Sequence, residues 1–250
     1  MVLIALCVVG DLTDMAWRGA LSACLDPQVG LAAKSARWYL LDDLQWGGPL
    51  VYGLSLVSAL MVVARVQTRP ALLVLLVSYS QLGHLFVPGD RGIDRILRTA
   101  LLVLVFSAVP TAKAQVAAWP AHLLRWLLVL VYLSAAFAKL GATLQWWWPV
   151  HHPELYAILT DPMAGRLDAS FWWDYPAPFV LGGWATMVVE LSALLILTRW
   201  APYWAVIAAF IHLGIAATMH LGMFSWGMLA FYPILFSPWW PERSPADVAS

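Results

Sequence analysis

An amine, a carboxylate and two imidazoles lie inside stretches otherwise free of charge, and these are the groups with which the chain could do chemistry. Lys139 follows thirteen uncharged positions and closes the run Val131-Tyr132-Leu133-Ser134-Ala135-Ala136-Phe137-Ala138-Lys139-Leu140. A neutral amine in such a place takes up a proton or attacks a carbon; the alternative is a lysine near enough to a helix end to snorkel to the interface. Glu190 sits fourteen residues into the segment Pro176 to Thr198, too deep and too short to reach water, so it must face another polar group. Two roles stay open for it: a structural pair with Lys139 or with an arginine such as Arg95, or a catalytic or proton-relay role. His212 and His220 are eight positions apart, about 80° of rotation on one helix, so both could border one cavity, either as reacting groups or as hydrogen-bonded packing residues. The adjacent pair His151-His152 assigns no metal, because sequence neighbours do not share a helix face and no Cys or Glu completes a ligand spacing. There is no phosphate-cradling glycine loop, no Gly-x-Ser-x-Gly elbow and no zincin motif.

The elements that must position these groups follow from composition. Of 250 residues, 62% are hydrophobic and 11% charged, against about 25% charged in an ordinary globular domain. Too little polar surface exists to face water, so lipid is the expected solvent. Net charge is zero, which excludes the basic footprint that neutralises nucleic-acid phosphates. Charge-free stretches then count the crossings, since a span needs about 20 apolar residues and lipid leaves the backbone of an open segment no other partner than its own helix. The first runs from the N-terminus, where Asp11 and Asp14 and the lack of a basic start argue for a retained helix rather than a signal peptide. Gln45 to Ala64, Ala71 to Pro88, about Asp94 to Ala112, His122 to Leu144 and Pro176 to Thr198 follow. Trp200 to Pro241 contains no Asp, Glu, Lys or Arg over 42 residues, twice what one crossing requires, so it predicts two helices with a turn near His220-Leu221-Gly222. The expected fold is all-α: a polytopic transmembrane bundle of about eight helices, six to eight of them spanning, in one domain over residues 1–250 and in the cell membrane.

Residues 141–175 form the one substantial stretch between spans, with Trp146-Trp147-Trp148, His151-His152 and Trp172-Trp173. Tryptophan favours the headgroup region, so this loop is expected along the membrane surface. Cys7 and Cys24 would be roughly 25 Å apart on one helix and so would not bridge. Lysine and arginine divide almost evenly between alternate loops, Arg65, Arg69, Lys113, Arg199 and Arg243 against Lys34, Arg37, Arg91, Arg95 and Arg166, so the charge rule for orientation gives no answer.

The run from Tyr132 to Leu140, followed by the Trp-rich turn at Trp146, resembles the tyrosine, small residues, Lys-Leu, tryptophan signature of the horizontally transferred transmembrane (HTTM) domain, the membrane-domain family of vitamin K-dependent gamma-carboxylase. The likeness continues through Glu190-Leu191-Ser192-Ala193, Phe210-Ile211-His212, the run Leu221 to Ala230 with Phe224-Ser225-Trp226-Gly227, and Phe236-Ser237-Pro238-Trp239-Trp240-Pro241. It is most specific over residues 123–243, looser over residues 89–98, and limited to helix pattern before that. The chain departs from the carboxylase at Ala138 and Gly141, where the carboxylase has lysine and aspartate, and no counterpart is found for its histidine from the earlier helices. It also ends at Ser250, without the large domain that binds a propeptide in the carboxylase. These departures argue against gamma-carboxylation itself.

The resemblance implies that Lys139 takes the place of the lysine that deprotonates reduced vitamin K, with Glu190 and His212 beside it as candidate catalytic groups. Tyr132, His220 and Phe224 are then assigned to the lining of a cofactor cavity. The implied cofactor is a reduced, vitamin K-like quinone, and the implied role is modification or maturation of a secreted peptide, with membrane lipid, that peptide or a thiol-oxidoreductase as partner. The reading kept beside it is a non-catalytic membrane protein, of accessory or immunity type, or a small transporter in which the same residues form structural pairs or a proton path.

Overall fold

Apolar stretches bounded by turns become helices, and the computed structural model describes residues 1–17, 47–85, 92–107, 119–142, 154–161, 165–166, 175 and 177–237. The helices, in chain order, are α1 (Val2–Trp17), α2 (Gly47–Val63), α3 (Thr68–Leu85), α4 (Gly92–Phe106), α5 (Trp119–Ala142), α6 (Glu154–Thr160), α7 (Ala177–Leu191), α8 (Ala201–Thr218) and α9 (Phe224–Leu229). Two 3-10 helices, Ser192–Leu197 and Tyr232–Phe236, follow α7 and α9. Among the described residues there is no strand, only an isolated bridge between Gly165 and Met219. Cys24, Lys34, Arg37, Arg91, Lys113, Arg243, Trp146-Trp147-Trp148, His151-His152 and Trp172-Trp173, all singled out above, lie outside the described residues.

Three helical segments among the described residues have the length and apolarity to cross a membrane: Trp119–Gly141, Ala177–Leu197 and Ala201–Thr218. Gly47–Val63 and Phe224–Phe236 are apolar but shorter. The exposed side chains of the three long segments recur at helical spacing: Leu123, Trp126, Leu130 and Phe137; Leu181, Trp184, Val188, Leu191 and Leu195; Tyr203, Val206, Ile207, Phe210 and Leu213. Contiguous apolar faces of this kind are stable against hydrocarbon rather than water. At the turn before α8, Arg199 lies over the Trp200 ring at 5.4 Å from its centroid, and the Trp200 and Tyr203 rings meet tilted, 5.6 Å between centroids. A cation and two exposed amphipathic rings at a helix end are what an interface retains.

The chain divides into two units, Met1–Pro120 with Gly222–Phe231, and Ala121–Leu221 with Tyr232–Ser250. In the first, α2 and α3 form a hairpin whose inner faces meet through the Ser55 and Ser78 hydroxyls at 2.9 Å, small polar contacts that suit close helix approach in lipid. Gly10 of α1 and Gly227 of α9 carry no Cβ where one would stand 2.7 Å from Met223 and 2.6 Å from Ile93. A side chain at either glycine would have to push these side chains aside, so glycine suits the close packing of α1 on Met223 and of α9 on α4. In the second unit α6 packs on α7, with Leu155 and Leu159 against Phe179. The loop of residues 141–175 thus contains a helix that is anchored to a span.

The uncharged stretch Trp200 to Pro241 breaks where expected: α8 ends at Thr218, and Gly222 supplies the turn with φ of 54°, a conformation glycine adopts without penalty. Its second half differs from the single helix predicted. It stops at Leu229 and resumes as the 3-10 helix Tyr232–Phe236, because Pro233 has no N–H with which to continue an α-helical ladder.

Candidate functional site

Along α5 the buried side chains are Leu124, Arg125, Leu128, Val129, Tyr132 and Ala136, the recurrence of one helix face. Arg125, Tyr132 and Lys139 are spaced by seven on that face, each about 10.5 Å further along the axis. Three polar groups are thus stacked along the inner side of one apolar helix, and each has a partner from elsewhere in the second unit.

At the first level, Arg125 Nη2 donates to the carbonyl of Ile234 at 2.9 Å and to the carbonyl and hydroxyl of Ser237. These oxygens lie at the end of the terminal 3-10 helix, where the Ile234 carbonyl also accepts from the Ser237 hydroxyl at 2.7 Å, and one guanidinium nitrogen gathers them. Arg125 is only 2% exposed, which marks it as a fastening rather than a snorkelling charge.

Two turns further on, Tyr132 Oη stands 2.7 Å from His212 Nε2 and also hydrogen-bonds the Tyr232 hydroxyl. Trp204 completes the setting, its ring edge-on to Tyr132 at 4.8 Å and to Tyr232 at 6.1 Å. The helix that supplies Trp204 and His212 buries Ala201, Trp204, Ala205, Ala208 and His212; its alanines allow the close approach that brings the imidazole to the phenol. Each phenol has one proton to give, so the chain Tyr232, Tyr132, His212 has two proton orders, one with Nε2 as acceptor and one with Nε2 as donor.

At the third level, Lys139 Nζ forms an ion pair with Glu190 Oε1. The Glu190 side chain is 9% exposed and that of Lys139 20%, so the carboxylate lies inside and the amine opens the pair to one side. The backbone at Glu190 is fixed by the change from α to 3-10 geometry just after it. The Val189 carbonyl accepts from Trp204 Nε1 at 3.1 Å and from Ser192 Oγ at 2.9 Å, and Trp204 Nε1 also reaches Ser192 Oγ at 3.1 Å. The same indole therefore faces Tyr132 and pins the turn that carries Glu190. Among the described residues, Glu190 Oε2 is buried without a hydrogen-bond partner.

The structure thus brings together Lys139 with Glu190 and Tyr132 with His212, on one face of α5. Of the partners considered for Glu190, it is Lys139 that it meets; Arg95 belongs to the first unit. His220 is not on the helix of His212, because α8 ends at Thr218 and His220 is an exposed residue of the following turn; the 80° rotation presumed two more residues of helix. Phe224 opens α9. Sequence reasoning did not single out Tyr232, Trp204 or the fastening role of Arg125. The seven-residue recurrence of Arg125, Tyr132 and Lys139 is the signal that would have grouped them.

In the first unit, Tyr79 Oη donates to Asp11 Oδ2 at 2.8 Å and lies 3.3 Å from Asp94 Oδ1. Asp11 is fully buried and Asp94 is 6% exposed, so three helices place two carboxylates around one phenol.

Compared with protein families, with curated proteins and with solved structures, the chain matches none.

Proposed function

We propose that the chain is a multi-pass protein of the cell membrane, an HTTM-like bundle of about eight helices, whose second unit binds a membrane-dissolved quinol-type reductant in the modification or maturation of a secreted peptide. The observation that carries this reading is the stack of Lys139 with Glu190 and Tyr132 with His212 on the inner face of one apolar helix. Ionisable groups at membrane depth are costly and are kept where a substrate, ion or proton path needs them. Two proton-handling pairs within about 10.5 Å suit a ligand that carries exchangeable hydroxyl protons on an apolar ring. The chemistry such a quinol supplies is reducing power and acidic hydroxyls; the protein orients it, excludes water and provides acceptors through Glu190 and His212. The peptide, or a thiol-oxidoreductase acting on it, is the partner on the water side. The test is intact mass spectrometry of peptides secreted by cells with the protein, without it, and with Lys139→Met at equal membrane abundance. A mass change found only with the wild type supports the reading, and three identical spectra overturn it.

One observation favours a second reading. Lys139 is not a lone amine: it is bonded to Glu190, and a neutral pair joining α5 to α7 also suits a non-catalytic accessory or immunity-type protein, or a small transporter. Proton flux in vesicles without any peptide product, changed by Glu190→Gln, would select it.

A further inference from the structure

Trp204 touches the second and third levels of the stack at once. Its single indole donor is shared between the Val189 carbonyl and the Ser192 hydroxyl, 3.1 Å from each, and that hydroxyl closes the triangle by donating to the same carbonyl at 2.9 Å. The carbonyl belongs to the planar peptide unit that joins Val189 to Glu190, so the indole holds the backbone from which the carboxylate reaches Lys139. The ring of Trp204 also meets Tyr132 edge-on, at 4.8 Å and 80°, and Tyr232 at 6.1 Å and 72°. Trp204, Tyr132, His212 and Tyr232 are all buried. Contacts of this geometry are directional, and a close-packed interior passes a displacement on instead of absorbing it.

The chain Tyr232, Tyr132, His212 is able to register such a displacement. Tyr132 has one proton and two neighbours. When it donates to Nε2, a neutral imidazole carries its own proton on Nδ1; when it donates to Tyr232, Nε2 carries the proton and donates to Tyr132. These are two discrete arrangements of the same groups, the bistable element that coupling between sites requires.

We propose that Trp204 is the positioning residue of the site, and that through it the proton order of the Tyr232–Tyr132–His212 chain follows the charge at Glu190. Neutralising the carboxylate releases the pair with Lys139, relaxes the Val189–Glu190 turn against the indole, and resets which of its two neighbours Tyr132 favours. By linkage, a change in the chain acts back on Glu190 to the same extent. The coupling is a property of the protein itself and holds whether or not the site binds a quinol.

The experiment uses the full chain in lipid discs with nitrogen-15 in its histidine rings, the His212 signals being identified among six histidines by their loss in His212→Gln. The ratio of the two ring tautomers is read from the Nδ1 and Nε2 resonances. The expected result is a change in that ratio of about 5-fold or more on Glu190→Gln. The same substitution in Trp204→Phe, which keeps a ring and loses the N–H, changes it by less than about 2-fold. A ratio indifferent to Glu190→Gln overturns the coupling, and an equal response with and without the indole N–H overturns the role of Trp204. Should Trp204→Phe fail to accumulate, the reciprocal measurement leaves the indole intact: the carboxyl carbon of Glu190, one of three glutamates in the chain, shifts on Tyr232→Phe, and an unmoved signal overturns the proposal.

Discussion

Lys139→Met is the sharpest perturbation of the pair on which the site depends, and its consequence is calculable. The substitution removes the cation from a carboxylate that is 9% exposed. Removing one partner of a buried pair costs about 3–5 kcal/mol, because the remaining charge stays desolvated. The one-fifth exposure on the lysine side admits some water, which places the loss near 3 kcal/mol, roughly 100-fold in the unfolding equilibrium. Glu190→Leu leaves the amine instead, and a lysine stem swings to water, so that loss is smaller, about 1–2 kcal/mol. The double variant Lys139→Met/Glu190→Leu has no charge to strand and returns to within about 1 kcal/mol of the wild type. A coupling of about 3 kcal/mol is expected between two sites 51 residues apart in sequence. The assay is equilibrium unfolding in mixed micelles by SDS titration, followed by tryptophan fluorescence. Simple addition of the two single losses, or a double variant less stable than either, would refute the reasoning.

Three further outcomes are expected. Tyr132→Phe withdraws the bridge between His212 and Tyr232 and costs about 1–3 kcal/mol in the same titration, whereas Tyr232→Phe removes a terminal member and costs about 1 kcal/mol. Arg125→Met removes the guanidinium donor from the Ile234 and Ser237 carbonyls and loosens the segment after Phe231, seen as faster proteolysis there. Val188→Arg puts a charge on the exposed apolar face of α7, 64% exposed, and lowers its insertion by about 2.5–3.5 kcal/mol in a glycosylation-reporter assay; unchanged insertion would mean that this face does not meet lipid.

Much of the fold was legible because lipid imposes a simple grammar. A stretch without charges must be a helix, and the segment Gln45 to Ala64 emerges as Gly47–Val63 and His122 to Leu144 as Trp119–Ala142. The turn at Gly222 was legible for the same reason, an apolar run too long for one crossing. The interruption before Pro233 was not, because hydropathy counts a broken helix and a whole one alike. Glu190 was legible as a residue that needs a partner, since its depth forbids escape to water, and Lys139 is that partner. The binding of Arg125 was not, because it fastens to backbone carbonyls, which every residue possesses. Nor was the meeting of Asp11, Tyr79 and Asp94, which three separate helices bring about. His220 was misplaced by a helix that ends two residues early, and Tyr232 was passed over because a tyrosine in an apolar run is ordinarily packing.

The quinol reading meets its most direct test when the wild type and Lys139→Met are isolated from their own membrane in native lipid discs and the bound apolar molecules are identified by mass spectrometry. A prenylated quinone or quinol retained in near-equal amount with the wild type and lost from Lys139→Met is the expected result. Bulk lipids alone, in the same proportion in both samples, would contradict it.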